Sequence, residues 1–146
     1  MRLRAVLRTI AVGIAASLAA AFAAAEERPK AEIVTQLGHS DWVTSAVFAP
    51  DGMTALSGGW DNTLRLWDLK SGREIRKFQG HSRQVWSLAI APDGKTALSG
   101  GGDVVKGEFK LWDLTSGLEI KTFEGHSALV TSVAYSLDGK TVLSGS

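Results

Sequence analysis

The stretch "GHSDWVTSAVFAPDGMTALSGGWDNTLRLWDLKSGREIRKFQ", Gly38 to Gln79, decides the fold, because the chain goes on to repeat it. From Gly80 to Glu124 stands "GHSRQVWSLAIAPDGKTALSGGGDVVKGEFKLWDLTSGLEIKTFE". From Gly125 to Ser146 stands "GHSALVTSVAYSLDGKTVLSGS". The first two units are 42 and 45 residues long, and the three-residue difference falls between Asp103 and Trp112. All three histidines of the chain, His39, His81 and His126, sit in the same Gly-His-Ser tripeptide.

Within each unit, short apolar runs alternate with turn chemistry. "VTSAVFA" and "MTALSGG" flank Asp51-Gly52, and "TLRLWDL" and "REIRKFQ" flank Ser71-Gly72. Glycine takes the positive φ that a tight hairpin requires, and Pro50 pre-sets a φ suited to the turn. In "TLRLW" the alternation places Leu64 and Leu66 on one face and Arg65 on the other. No segment of the repeats carries a sustained helical period. Each unit therefore predicts four short antiparallel strands, and the fold class is all-β.

Around the repeats, the first 25 residues hold Arg2, Arg4 and Arg8, then "IAVGIAASLAAAF", then small residues before Glu26. Basic, apolar and small segments in that order predict a secretory signal peptide, cleaved near Ala25; the apolar run is shorter than the ~20 residues needed to span a bilayer. Export to the periplasm or outside the cell, with no stable membrane insertion after cleavage, is the expectation. Residues 26–37 form a leader whose "AEIVTQL" matches the outer strand "REIRKFQ". The repeats then occupy 38–79, 80–124 and, in part, 125–146.

The chain has 16 basic and 15 acidic residues, three of the basic ones in the expected leader. The remainder is mildly acidic and carries no Lys/Arg run, so no nucleic-acid partner is expected. Cysteine is absent, which excludes disulfides and thiolate metal sites.

Gly38-His39 with Trp67-Asp68, and Gly80-His81 with Trp112-Asp113, resemble the signature of the WD40-repeat β-propeller family. The resemblance covers the chain from about Ala31 onward. It implies blades of four antiparallel strands arranged radially, here an open or partial propeller, since closed ones hold about 4–8 blades. It also implies a structural hydrogen-bond network in each blade, joining the Gly-His histidine to a strand Ser, a turn Asp and the signature Trp. By position these are His39, Ser57, Asp61 and Trp67, then His81, Ser99, Asp103 and Trp112. The third unit offers His126 and Ser144.

Ser, His and Asp are also the members of a hydrolase triad, but they recur once per repeat and no "GxSxG" elbow accompanies them. Three histidines in three separate blades do not converge on a metal. No catalytic residue, metal ligand or cofactor is expected.

Three tryptophans lie outside the signature. Trp42 aligns with Gln84, Trp60 with Gly102, and Trp86 with Thr44. Such variable positions resemble the family's partner-docking surface, so Trp42, Thr44, Trp60, Gln84 and Trp86 are its candidates here. Packing between neighbouring blades is the competing role for the rings. The function expected is an exported protein-interaction scaffold, the amino-terminal fragment of a longer propeller whose missing blades, or self-association, cover its open faces. The alternatives are a propeller-containing enzyme with its active site elsewhere, or a non-functional remnant.

Overall fold

The computed structural model describes residues 38–146; the signal peptide expected over 1–25 and the leader strand expected in 26–37 lie outside the described residues. Every regular element described is a strand: β1 (Val43–Phe48), β2 (Thr54–Gly59), β3 (Thr63–Asp68), β4 (Glu74–Gln79), β5 (Val85–Ile90), β6 (Thr96–Gly102), β7 (Gly107–Asp113), β8 (Glu119–Phe123), β9 (Ser132–Tyr135) and β10 (Val142–Gly145). They form antiparallel sheets in chain order: β1–β4 is the first blade, β5–β8 the second, and β9–β10 a two-stranded third.

Turn chemistry closes the Asp-Gly and Ser-Gly hairpins as the sequence predicts, with Gly52, Gly72, Gly94 and Gly117 all at positive φ. Gly52, between β1 and β2, has φ 67°, and the Asp51 carboxylate accepts from the Met53 N–H at 2.8 Å. The aspartate of each Trp-Asp pair caps the following turn. Asp68 Oδ1 accepts from the N–H and hydroxyl of Ser71 (2.6 and 2.7 Å), and Asp113 does the same with Ser116 (2.6 and 2.9 Å). Those bonds favour the ionised carboxyl and hold both aspartates below the usual carboxylate range.

The blades stack face to face. Val47, Leu56 and Leu66 of the first blade pack against Leu88, Ile90, Ala97 and Trp112 of the second. The other face of the second blade, with Ala89, Leu98, Phe109 and Leu111, packs against Val133, Tyr135 and Val142 of the third. A middle blade thus buries both faces, and the polar side chains of its inner strands, Ser99, Glu108 and Lys110, are buried with them and hydrogen-bonded. Glycine makes the approach possible: a Cβ on Gly58 would stand 2.8 Å from Val85 Cγ1, and one on Gly100 2.8 Å from Val130 Cγ1.

Arg65 does alternate away from Leu64 and Leu66, but it is not solvated. It is buried, bonded to Glu74 and 3.6 Å from Asp61. On the outer strand β4, Phe78 turns fully inward and meets Trp112 edge to face at 5.9 Å, while its charged neighbours Glu74 and Lys77 stay exposed.

Two apolar faces have no neighbouring blade among the described residues. By register, Phe48 (opposite Ala55) corresponds to Ile90 and Tyr135, which pack against a neighbouring blade. Leu143 (opposite Ala134) corresponds to Leu56 and Leu98, both fully buried. Phe48 and Leu143 themselves are largely exposed.

Candidate functional site: a tryptophan row on a braced blade end

The surface at the β2–β3 and β6–β7 turns is braced from within. In the first blade the Trp67 indole N–H donates to Ser57 Oγ (2.7 Å), which stands 2.8 Å from His39 Nε2. His39 Nδ1 lies 2.9 Å from both oxygens of Asp61. A carboxylate only accepts, so His39 carries a proton on Nδ1, and in the neutral tautomer that this selects, Nε2 receives the Ser57 hydroxyl. Every donor then points one way, from Trp67 to Asp61. Asp61 also takes the Thr63 hydroxyl at 2.8 Å and the Ser40 N–H at 3.2 Å. Burial opposes its ionisation most strongly of any single influence. The bonds from His39, Thr63 and Ser40 together outweigh it and hold Asp61 at about 2.

The second blade repeats the chain with one change. Trp112 donates to Ser99 Oγ (2.7 Å), and Ser99 pairs with His81 Nε2 (2.5 Å). His81 Nδ1, however, meets Glu108 at 2.8 Å rather than Asp103. Asp103 is therefore not a member of the network. The longer β6–β7 connection carries it outward, where Oδ1 accepts from the N–H groups of Val105 and Lys106 (2.9 Å each) and Oδ2 pairs with Arg83 at 2.9 Å. Glu108 occupies the strand position of Thr63, and its longer side chain reaches back to His81 and to both the N–H and hydroxyl of Ser82. Burial again opposes ionisation, and the His81 and Ser82 bonds prevail, holding Glu108 at about 2.

In the third blade His126 bonds Ser144 through Nε2 (2.7 Å) and Ser146 through Nδ1 (2.9 Å). Each histidine is thus committed to its own blade. Ser57 and Ser99 are buried beneath their histidines, and each already accepts an indole N–H, so neither hydroxyl faces a substrate. Among the described residues no three His, Cys, Asp or Glu side chains are grouped to hold a metal ion.

On this frame the three non-signature tryptophans meet. The Trp42 and Trp60 rings are 4.9 Å apart at 31°, and Trp60 and Trp86 are 5.9 Å apart at 58°. Local structure explains each position. The Trp42 carbonyl accepts the Trp60 N–H at 2.8 Å, tying the approach to β1 onto the β2–β3 turn. A Cβ on Gly59 would collide with that carbonyl, and Asn62 closes the turn in the left-handed region with φ 62°. Trp86 is the extra residue of a β-bulge in β5, which re-aims its side chain outward. Trp42 is 70% exposed and Trp86 36%.

Trp60 is more enclosed, and its Nε1 is buried with no hydrogen-bond partner among the described residues. Such an orphaned donor costs about 1–3 kcal/mol.

The two remaining surface candidates behave differently. Thr44 is the equivalent bulge residue of β1, yet its hydroxyl donates to the carbonyls of Gly58 (3.1 Å) and Val85, stitching blade to blade. Gln84 is half-buried beside the row, its carbonyl accepting the Gly102 N–H at 3.1 Å. The three-residue extension contributes what sequence reasoning did not assign. Val104 and Val105 stand 87% and 75% exposed on the Asp103-capped turn, next to the Arg83–Gln84 segment.

Comparison with known proteins agrees with this architecture. The model of the WD domain, G-beta repeat, matches residues 31–68, 72–113 and 117–146. The match 72–113 begins at β4 and ends at β7, so the sequence unit straddles two structural blades. The small ribosomal subunit protein RACK1 of Caenorhabditis elegans is 54% identical over 41 residues, which is 28% of this chain and 13% of that protein. The cross-pathway control WD-repeat protein 2 of Flammulina velutipes is 51% identical over 41 residues, again 28% and 13%. The RACK1 of Drosophila melanogaster is 54% identical over 39 residues, 27% and 12%. The aligned stretch is thus about an eighth of each relative's length. Matches over most of the chain, two braced four-stranded blades and a third begun on the same plan place this protein in the WD40-repeat family, a β-propeller architecture that supports a protein-interaction scaffold.

Proposed function

We propose that this chain is an exported interaction scaffold that docks a protein partner through the row Trp42, Trp60 and Trp86. The observation that carries the reading is the gathering of three unrelated sequence positions into one contiguous aromatic surface. Inter-blade packing, the competing role for these rings, accounts poorly for Trp42, which is mostly exposed. Aromatic anchors on a pre-organised support bind at small entropic cost, and Trp is enriched among the residues that dominate interface energies. The chain acts by binding and not by catalysis, in keeping with the buried serines of its networks. We infer also that further blade surface covers the Phe48 and Leu143 faces. Their equivalents in the other blades are packed, and the relatives are several times longer than the matched stretch. Export rests on the leader sequence alone.

The docking claim is tested by placing a photo-crosslinking residue at position 42 and, as a control, at Ile120 on the outer strand of the second blade. A discrete protein adduct at 42 and none at 120 is expected, and Trp42→Ala with Trp86→Ala should weaken the association by tenfold or more, about 1.4 kcal/mol. Equal labelling at both sites would sink the claim. Export and extent are tested by the intact mass of the endogenous product from the exported fraction. An amino terminus at Glu26 is expected, with a mass above that of residues 26–146.

A further inference from the structure

The chemistry at the tryptophan row selects among protein ligands, and we propose that its occupant is an extended, proline-containing segment of the partner. This inference rests on the docking reading above. Asp103 holds Arg83 at 2.9 Å and Asp61 is committed to His39, so neither offers a charge to the row. Asp41 caps the Trp42 N–H at 2.8 Å and otherwise faces solvent. The backbone acceptors beside the row are engaged too, since the carbonyls of Trp42 and Gln84 receive the N–H groups of Trp60 and Gly102. Left over is a donor: Trp60 Nε1, buried and without an acceptor among the described residues.

A surface with a spare donor and occupied acceptors matches a ligand rich in carbonyls and poor in N–H groups. A proline segment is that ligand. It has no N–H at each proline, its carbonyls stay unpaired in the polyproline conformation, and its pyrrolidine faces pack on indole rings. Its conformation is also pre-set, so little entropy is lost on docking. For a ligand carbonyl to reach the buried Nε1, the Trp60 surroundings have to open, and the neighbouring Trp42 ring, 4.9 Å away and mostly exposed, is the group freest to move. Val104 and Val105 stand exposed on the β6–β7 turn, at the same end of the neighbouring blade, and add apolar surface there.

The test uses the full mature chain and a synthetic acetylated oligoproline peptide, with a Gly-Ser peptide of equal length as control. Binding is read by tryptophan fluorescence and by the indole N–H resonance of Trp60. The expected result is saturable binding of oligoproline alone, with a downfield shift of the Trp60 indole proton. Trp60→Phe, which keeps an aromatic ring and removes the donor, should weaken binding roughly five- to tenfold. Trp42→Ala, on an exposed ring, checks the surface without threatening the fold. If oligoproline fails to bind while the position-42 crosslink persists, the proline inference falls and the docking reading stands. If the crosslink fails as well, both fall. Binding that Trp60→Phe leaves untouched, or tighter binding of a linear oligosaccharide to the same rings, also overturns it.

Discussion

Glu108 carries the sharpest lesson at the scale of single residues. Counting forward from Gly-His points to Asp103 as the acceptor for His81, because Asp61 holds that place in the first blade. The three inserted residues move Asp103 onto a turn tip, and the network recruits a carboxylate from the strand instead. The two residues should therefore differ sharply on substitution. Glu108→Gln removes the charge that three donors share and should cost about 1–3 kcal/mol in urea unfolding. Asp103→Asn loses one partly exposed ion pair and weakens a turn cap, so it should cost less than about 1 kcal/mol. Equal costs would mean that Asp103 serves the network after all. His39, Ser57, Asp61 and Trp67 lie within bonding distance of one another as the family resemblance implies, because no insertion disturbs the turn between β2 and β3.

Among the elements, β2 and β6 govern the stacking. Their Gly58 and Gly100 sit at matching register, each under a valine of the next blade. Gly100→Ala places a methyl against both Val130 and Val133, with 2.8 and 3.0 Å left for it. Overpacking of this kind costs about 1–3 kcal/mol, so a fall in the thermal midpoint is expected. Gly52→Ala, on an open turn, meets no atom within 4 Å and should cost only its backbone strain, roughly 1 kcal/mol. A larger loss for Gly52→Ala than for Gly100→Ala would contradict the stacking argument. The bulges in β1 and β5 show how one element serves two ends: the same extra residue stitches blades when it is Thr44 and faces outward when it is Trp86.

For the whole molecule, acid is the natural probe of the braces. Asp61 falls from an ordinary 3.8 to about 2 in the folded chain, and Glu108 from 4.5 to about 2. A carboxyl with a folded pKa below its unfolded one binds fewer protons when folded. Its stabilisation is complete above the unfolded value and is lost as pH drops through the folded value. The urea midpoint should therefore decline between about pH 4.5 and 2, the window set by these shifts, with Asp68, Asp103, Asp113, Glu119 and Asp138 adding in the same direction. Glu108→Gln should flatten part of that decline. A midpoint independent of pH over that range would mean that the carboxylates contribute nothing to folding.

The sequence by itself determined the repeat, the all-β class, the Asp-Gly and Ser-Gly turns and the two Gly-His/Trp-Asp registers. Those properties are local: a strand's alternation and a turn's glycine are written within a few residues. The same locality explains why Asp61 could be named and Glu108 could not, since the second depends on where a longer loop leaves its side chains. Only the tertiary structure decided that Arg65 is buried between carboxylates, that Thr44 is spent on joining blades, and that Trp42, Trp60 and Trp86 form one row. Each of these turns on which surfaces the stacked blades bring together across tens of residues, a matter of packing that no short window of sequence contains.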